Sequence, residues 1–301
     1  MVTRTVLLTA LILAFLGTTL SQPGAPSAYA CRTAFRIADS LYSKGLAINS
    51  ETPEGEAREG SINQAARVAF TSFLQCASSV PAADSLRIVA LVRRAVLAQY
   101  FDDVSAAMQD YRAAIALHGH VDVPDSCFFK PLLFAGIIHY RAGAFDSAES
   151  CLERAAAIQE SYGRALEEAE RLYNNLGALR YESGNYISAG RYFQKALDLL
   201  QPSHPYYRSL SVNYKINLAA ILVRLGRYEE ADKLYVGLLP FNEHRREIDH
   251  NRGLIRLNTG RPAEAIRYFA RVRYGTVADA GLSNDEATAW IALHRYDSAR
   301  T

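Results

Sequence analysis

The stretch RLYNNLGALRYESGNYISAGRYFQKALDLL, Arg171 to Leu200, sets three small residues, Gly177, Ala189 and Ala196, among the large residues Tyr173, Leu176, Tyr186 and Phe193. Tyr173, Leu176, Gly177 and Tyr181 fall at helical spacing. Ser183-Gly184-Asn185 then breaks the pattern, and Gly184 suits a left-handed helix C-cap. Ala189, Phe193 and Ala196 follow at steps of 4 and 3, on one face of a second helix. Gly177 and Ala189 therefore mark a close crossing of two antiparallel helices. Ala196 marks the place where a following helix presses in. The order of large and small is a packing code for a helix hairpin.

The code recurs. A glycine, a spacer, an aromatic and an alanine appear again as GAFDSAESCLERA from Gly143, GRYEEADKLYVGLL from Gly226 and GRPAEAIRYFARV from Gly260. Degenerate copies, DDVSAAMQDYRAA and HRYDSA, start at Asp102 and His294. The markers are spaced 41, 41, 42, 34 and 34 residues apart, a period of stacked supersecondary units. Upstream, Arg32–Leu46 and Ile62–Cys76 read as an atypical helix pair that caps the stack, joined by a long acidic loop, SETPEGEAREGS. Downstream, the period calls for a helix from near Tyr296 that runs about a dozen residues further, whereas the sequence ends at Thr301.

The pattern resembles the tetratricopeptide repeat family. The opening unit carries that family's spacing at Tyr173, Leu176, Gly177, Gly184, Tyr186, Ala189, Phe193 and Ala196. It departs where Arg180 stands at a tyrosine place, with Tyr181 one position late, and where Pro202 is one position late. The Gly143 unit keeps Gly136, Phe145, Ala148 and Ala155, with Leu132 and Leu152 in aromatic places. The Gly226 unit keeps Leu218, Tyr228, Ala231 and Tyr235 but has Ala219 for the first-helix glycine. The Gly260 unit keeps Gly253, Ala265 and Phe269, with Pro262 at the aromatic place. The resemblance implies an all-α fold, a right-handed superhelix (an α-solenoid) of about six to seven antiparallel hairpins, the last incomplete. The expected layout is a signal peptide at 1–21, a linker at 22–30, the atypical hairpin at 31–83 and the repeat array at 84–301.

The N-terminus carries one charge, Arg4, then an apolar run from Val6 to Leu16 and small or polar residues. This is the three-part pattern of a secretory signal peptide. The run is too short for a transmembrane helix, which needs ~20 residues. Cleavage is expected before Gln22, Ala28-Tyr29-Ala30 offers a second site, and a lipoprotein cut at Cys31 is a third reading. The protein is thus expected to be exported, periplasmic or extracellular. Export would expose Cys31, Cys76, Cys127 and Cys151 to an oxidising compartment. Four cysteines allow three connectivities. Cys31 opens the first helix and Cys76 closes its antiparallel partner, so these two are expected to pair, while Cys127 and Cys151 are misaligned along their helices and are not.

A net charge of +2 without a Lys/Arg run gives no reason to expect nucleic acid. No phosphate loop, HExxH or GxSxG stands in the sequence, and no catalytic residue, cofactor or metal is expected. His118 and His120 with Asp122 lack a fourth ligand and read as solvated loop residues. His139 reads as a packed core histidine. Cys127 and Cys151 lack a His/Asn context for thiol catalysis.

What remains is the groove that the family resemblance implies, lined by first helices. Two places before the first-helix glycine stand Asn175, Asn217 and Asn251 in three successive units. A carboxamide offers donor and acceptor together, so such a row can pair with an extended peptide backbone whatever its side chains. Some family members, including sugar-transferring enzymes with tetratricopeptide arms, show such a ladder. Arg171, Tyr181, Asn213, Arg224, Lys130 and Tyr140 are expected on the same face, with the two arginines favouring an acidic ligand. The plain alternative is an ordinary solvated surface. The functional expectation is an exported, non-enzymatic scaffold for a peptide or partner protein. The competing one is the regulatory arm of a larger protein, a CHAT-type peptidase or a sensor kinase, whose active part lies elsewhere.

Overall fold

A computed structural model of the chain describes residues 27–48, 52–78, 80, 83–241, 244–272 and 280–293. Among these residues every regular element is helical, in thirteen α-helices and one short 3₁₀ turn at Asp125–Phe128. They pair in chain order as antiparallel neighbours. The hairpins are α1 (Ala28–Leu46) with α2 (Pro53–Ala77), α3 (Asp84–Tyr100) with α4 (Val104–Ile115), and α5 (Phe129–Arg141) with α6 (Phe145–Ser161). Next come α7 (Ala169–Glu182) with α8 (Tyr186–Leu199), α9 (Tyr207–Arg224) with α10 (Tyr228–Leu238), and α11 (Arg245–Asn258) with α12 (Pro262–Val272). A last helix, α13 (Ala280–Ala292), packs on α11 and α12. The chain divides into two compact units, 1–166 and 167–301. The expected leader at 1–21 and the helix expected from near Tyr296 lie outside the described residues. No described helix is long and apolar enough to cross a membrane.

The small residues do what their spacing predicts. A Cβ built on Gly177 would lie 2.7 Å from the Phe193 ring, and one on Gly253 2.4 Å from the Phe269 ring. One on Gly136 would meet Leu152 at 2.7 Å. In each hairpin a backbone without a side chain receives the second helix's largest apolar group. The turns repeat as closely. Gly143, Gly184, Gly226 and Gly260 hold φ between 72° and 74°, and Asp102 takes the same left-handed place at φ 57°. Backbone bonds Asp103 N–H to Ala98 O, Ala144 to His139, Arg227 to Leu222 and Arg261 to Arg256 close the first helix in Schellman fashion. The residue after the left-handed one then caps the second helix where it is Asp103 or Asn185, whose carboxylate or carboxamide accepts from Ala106 or Ser188.

In the first unit α1 and α2 meet through alanines, Ala34 and Ala38 against Ala65, Ala66 and Ala69, with Phe70 and Phe73 fully buried. Phe35 stands edge-on to both rings, at 6.2 and 5.2 Å. Cys31 and Cys76 are joined by a disulfide across the helix ends, with Cα atoms 5.6 Å apart. Two sequence expectations change here. The acidic segment is not a loop: α2 starts at Pro53, capped by Thr52, whose hydroxyl accepts from Gly55 N–H. A threonine cap, proline at the first helical place and Glu54 and Glu56 in the first turn satisfy the exposed N–H groups and the helix dipole. The residues expected as linker end at Ser27, because Ser27 caps α1 by accepting from Ala30 N–H.

Between α3 and α4 the buried Asp110 accepts two bonds from Arg94, at 2.8 and 2.6 Å, and Arg94 also reaches Thr71. In the second unit Glu170, only 6% exposed, leaves its Oε1 buried without a hydrogen-bond partner. Burial pushes its carboxyl above the usual range, and the nearby Glu168 charge adds to this, against pulls downward from its own backbone N–H, His204 and Arg171.

Two predictions follow from these placements. The same substitution should act with opposite signs at two helical glycines. Gly177→Ala forces a methyl into the Phe193 ring and should cost ~1–3 kcal/mol. Gly237→Ala, where a Cβ meets nothing within 4 Å, should stabilise by ~0.5–1 kcal/mol through helix propensity. Urea melts of the two variants check this, and equal shifts would contradict the packing described. Glu170→Gln tests the buried carboxylate. A carboxyl whose folded pKa is raised weakens the fold above that pKa, and the penalty fades as pH falls through it toward the unfolded value. Glu170→Gln should therefore be more stable than the parent near pH 7, with the gain shrinking as pH falls toward the ordinary carboxylate range. A variant less stable than the parent at neutral pH would overturn this reading.

Candidate functional site

The second unit brings Asn175, Asn217 and Asn251 to the same place on α7, α9 and α11, each half-buried. Each amide group spends one N–H inside the protein. Asn175 donates to Arg171 O at 2.8 Å, and Asn251 to Glu247 O at 3.0 Å, both one turn back in their own helices. Asn217 donates across to Asn174 Oδ1 of the preceding repeat, at 2.9 Å. These bonds orient the carboxamides. A second N–H on each nitrogen and each Oδ1 remain for another partner among the described residues. Asn174 was not singled out by the sequence pattern. It stands one place before Asn175, and its role shows only when the helices are stacked.

The flanking residues are less available than the sequence implies. Arg171 donates to Glu168 at 2.8 Å, and Glu168 sits at the left-handed φ of 74° just before α7. Arg224 directs its guanidinium to the Tyr181 hydroxyl, at 3.2 and 3.1 Å, and Tyr181 also packs against Tyr186. The two cations expected to draw an acidic ligand are thus already engaged, because each lies one helical turn or one repeat from a fitting acceptor. Asn213 is exposed on α9, one turn before Asn217. Beside Asn251 in sequence, His250 contacts Asp285 of α13 at 2.9 Å. Lys130 and Tyr140 are on α5, in the first unit, where Tyr140 packs on Phe145.

Other candidates resolve differently. His118 reaches Asp125 at 3.0 Å and packs at a tilt against the Phe128 ring, 4.6 Å between centroids. Among the described residues no three His, Cys, Asp or Glu side chains are grouped to hold a metal. His139 is not in the core. It is half-buried beside Arg112 and Cys151 in a shallow cavity, where burial and the Arg112 charge lower its pKa. Cys127 and Cys151 are free thiols, and burial pushes both up, away from the reactive thiolate.

A feature the sequence pattern did not reveal lies on the other side of α9. Residues of α9 and α10, with Gln194 of α8 at one edge, line a trough of about 880 Å³. The preceding repeat fills the equivalent space. One period of 42 residues earlier, Tyr173 and Tyr192 stack with ring centroids 6.1 Å apart, and the Lys195 ammonium lies 3.9 Å above the Tyr173 ring. The corresponding places hold Lys215, Leu234 and Gly237, all lining the trough.

Paired helices, glycine-to-ring crossings and left-handed turns at a fixed period define a helical-repeat array, a class of fold that points to protein or peptide partners. Residues 131–201 and 168–236 match the tetratricopeptide repeat family, and this part of the chain is a run of tetratricopeptide repeats. Solved structures with the same fold include a tetratricopeptide repeat protein of Parabacteroides merdae, 15% identical with a TM-score of 0.52, covering 88% of this chain and 90% of that one. PilF of Pseudomonas aeruginosa is 19% identical with a TM-score of 0.56, over 81% and 95%. The apo quorum sensor NprR of B. thuringiensis is 15% identical with a TM-score of 0.63, over 88% and 74%. At these identities the likeness is one of fold. Tetratricopeptide repeat proteins are generally non-catalytic scaffolds.

Proposed function

We propose that this chain is a non-enzymatic scaffold that holds an extended peptide segment along the first-helix face of its second unit. The observation that carries the reading is the repeated carboxamide. Asn175, Asn217 and Asn251 recur at one place in three successive first helices, each oriented by a single internal bond. Oriented amides recognise backbone N–H and C=O groups, so the row would grip a peptide with little demand on its sequence. With Arg171 held by Glu168 and Arg224 by Tyr181, an acidic peptide would gain little at this face.

Selection from a displayed random-peptide library, followed by titration of one selected peptide, tests this. The triple variant Asn175→Ala, Asn217→Ala, Asn251→Ala should fold like the parent and lose ~0.5–1.5 kcal/mol of binding per hydrogen bond removed. N-methylation of the peptide's central amides should cost a comparable amount. Unchanged affinity in both experiments would remove the reading.

We also propose that the protein works outside the cytoplasm. The Cys31–Cys76 disulfide ties the ends of the first hairpin, and structural disulfides persist in oxidising compartments. Mass spectrometry of the protein from its native host should find a chain starting near Gln22 and a Cys31–Cys76 linked peptide pair without reduction. An intact Met1 with four free thiols would refute export, and a lipid on Cys31 would make the protein membrane-anchored.

A further inference from the structure

The trough between α8 and α10 is a site of different chemistry, and we propose that it receives an amphipathic helix of a partner protein, bulky apolar residues inward and carboxylates along its edges. This goes beyond the asparagine row, since the two sites lie on different sides of α9 and share no residue.

Three observations support the assignment. The first is the space itself, which the preceding repeat fills and this one leaves open. Where the preceding repeat fills the space with two stacked tyrosines and a lysine, this one offers Lys215, Leu234 and Gly237, and a Cβ on Gly237 would touch nothing within 4 Å. Val212, Leu218, Leu222, Leu234 and Leu238 form an apolar strip within the lining. Apolar area left open at this scale gains free energy only when another apolar surface covers it.

The second observation is charge. Arg208, Lys215 and Lys233 line the trough, and none of the three has an acidic side chain within ion-pair distance among the described residues. Arg227, by contrast, is held by Glu230 at 2.7 and 2.6 Å. Arg208 lies over the Phe241 ring, 5.0 Å from its centroid, at one end of the trough. An apolar strip edged by unmatched cations fits an apolar strip edged by carboxylates.

The third observation selects the backbone shape of the occupant. Most of the lining is helical and presents side chains. Over Val212, Leu218, Leu222, Leu234 and Leu238 an extended segment would bury N–H and C=O groups without partners. A helix arrives with those groups satisfied and packs between helices by the same side-chain interdigitation that builds the repeats. Along α9, Arg208 to Leu222 spans about 21 Å at 1.5 Å per residue, room for roughly four turns.

The test uses the full chain and a fluorescein-labelled synthetic helix with leucine and tryptophan on one face and glutamate on the other. The parent should bind it. Lys215→Tyr with Leu234→Tyr, which restores the aromatic pair of the preceding repeat, should weaken binding about tenfold or more. Gly237→Phe fills the same space from α10 and serves if the double variant does not fold, as judged by circular dichroism. Lys233→Glu should weaken binding several-fold and flatten its salt dependence. The triple asparagine variant should bind as the parent does, which separates this site from the peptide-backbone row. Undiminished binding by a folded filled variant, equal binding of a peptide with lysine in place of glutamate, or no binding by the parent would each overturn the proposal. Uptake of a free fatty-acid anion with no uptake of the peptide would overturn it in favour of a small amphiphile.

Discussion

Everything in this fold depends on two helices crossing closer than ordinary side chains allow. At Gly177 and Gly253 the closeness is bought by omitting a Cβ, and the ring of Phe193 or Phe269 occupies the space. The contact is short-range, so it fixes both the separation and the rotation of the pair. The left-handed glycine turn is then forced, because a chain reversing over so short a gap needs φ near 72–74° within one or two residues. The α5–α6, α7–α8 and α11–α12 hairpins reproduce the same crossing and the same turn, so much of the array follows from one local constraint applied repeatedly.

The α9–α10 hairpin shows what happens when the constraint is relaxed. Ala219 replaces the glycine and Tyr235 replaces the phenylalanine. Both are fully buried, and the Tyr235 hydroxyl has no hydrogen-bond partner. Burial drives its phenol far above the ordinary range. A buried hydroxyl without a partner costs ~1–3 kcal/mol, which the α5–α6, α7–α8 and α11–α12 hairpins avoid by using leucine or phenylalanine at this place. This hairpin also lacks the stacked tyrosines of α7–α8, with Lys215, Leu234 and Gly237 at those places.

The hairpins were legible from the sequence because each depends on residues at fixed local offsets. Gly177, Ala189 and Phe193 announce the crossing, and Gly184 announces the turn. The start of α2 was legible too, in Thr52-Pro53-Glu54, but glycines and glutamates in the same stretch read more strongly as loop. Helix-capping chemistry outweighed composition there. The asparagine row was visible as a periodicity, whereas the Asn217–Asn174 bond was not, because 43 residues separate the partners and only stacking joins them. The trough had a signal in plain view: Lys215 stands one period after Tyr173. It went unread because a consensus directs attention to what is kept, and a cavity is made by what is lost.

The arginines illustrate why charge is the hardest property to read from such a pattern. Arg171 and Arg224 carry the expected spacing, yet Glu168 and Tyr181 claim them. Arg252 and Arg256 converge on Asp232, at 2.7 Å each, and burial of that carboxylate is outweighed by their hydrogen bonds, which hold its pKa below the usual range. A cation committed to an internal acceptor adds little attraction for a ligand, since binding must first exchange one partner for another. Arg208, Lys215 and Lys233 have no such commitment among the described residues. The two sides of α9 therefore differ in kind. The asparagine face offers neutral dipoles, whose pairing with a peptide backbone is nearly indifferent to ionic strength. The trough offers uncommitted charge around apolar surface, whose attraction for carboxylates is screened over roughly 10 Å at moderate salt. Were both proposed partners to bind, added salt would loosen the carboxylate-edged helix and leave the backbone-held peptide in place.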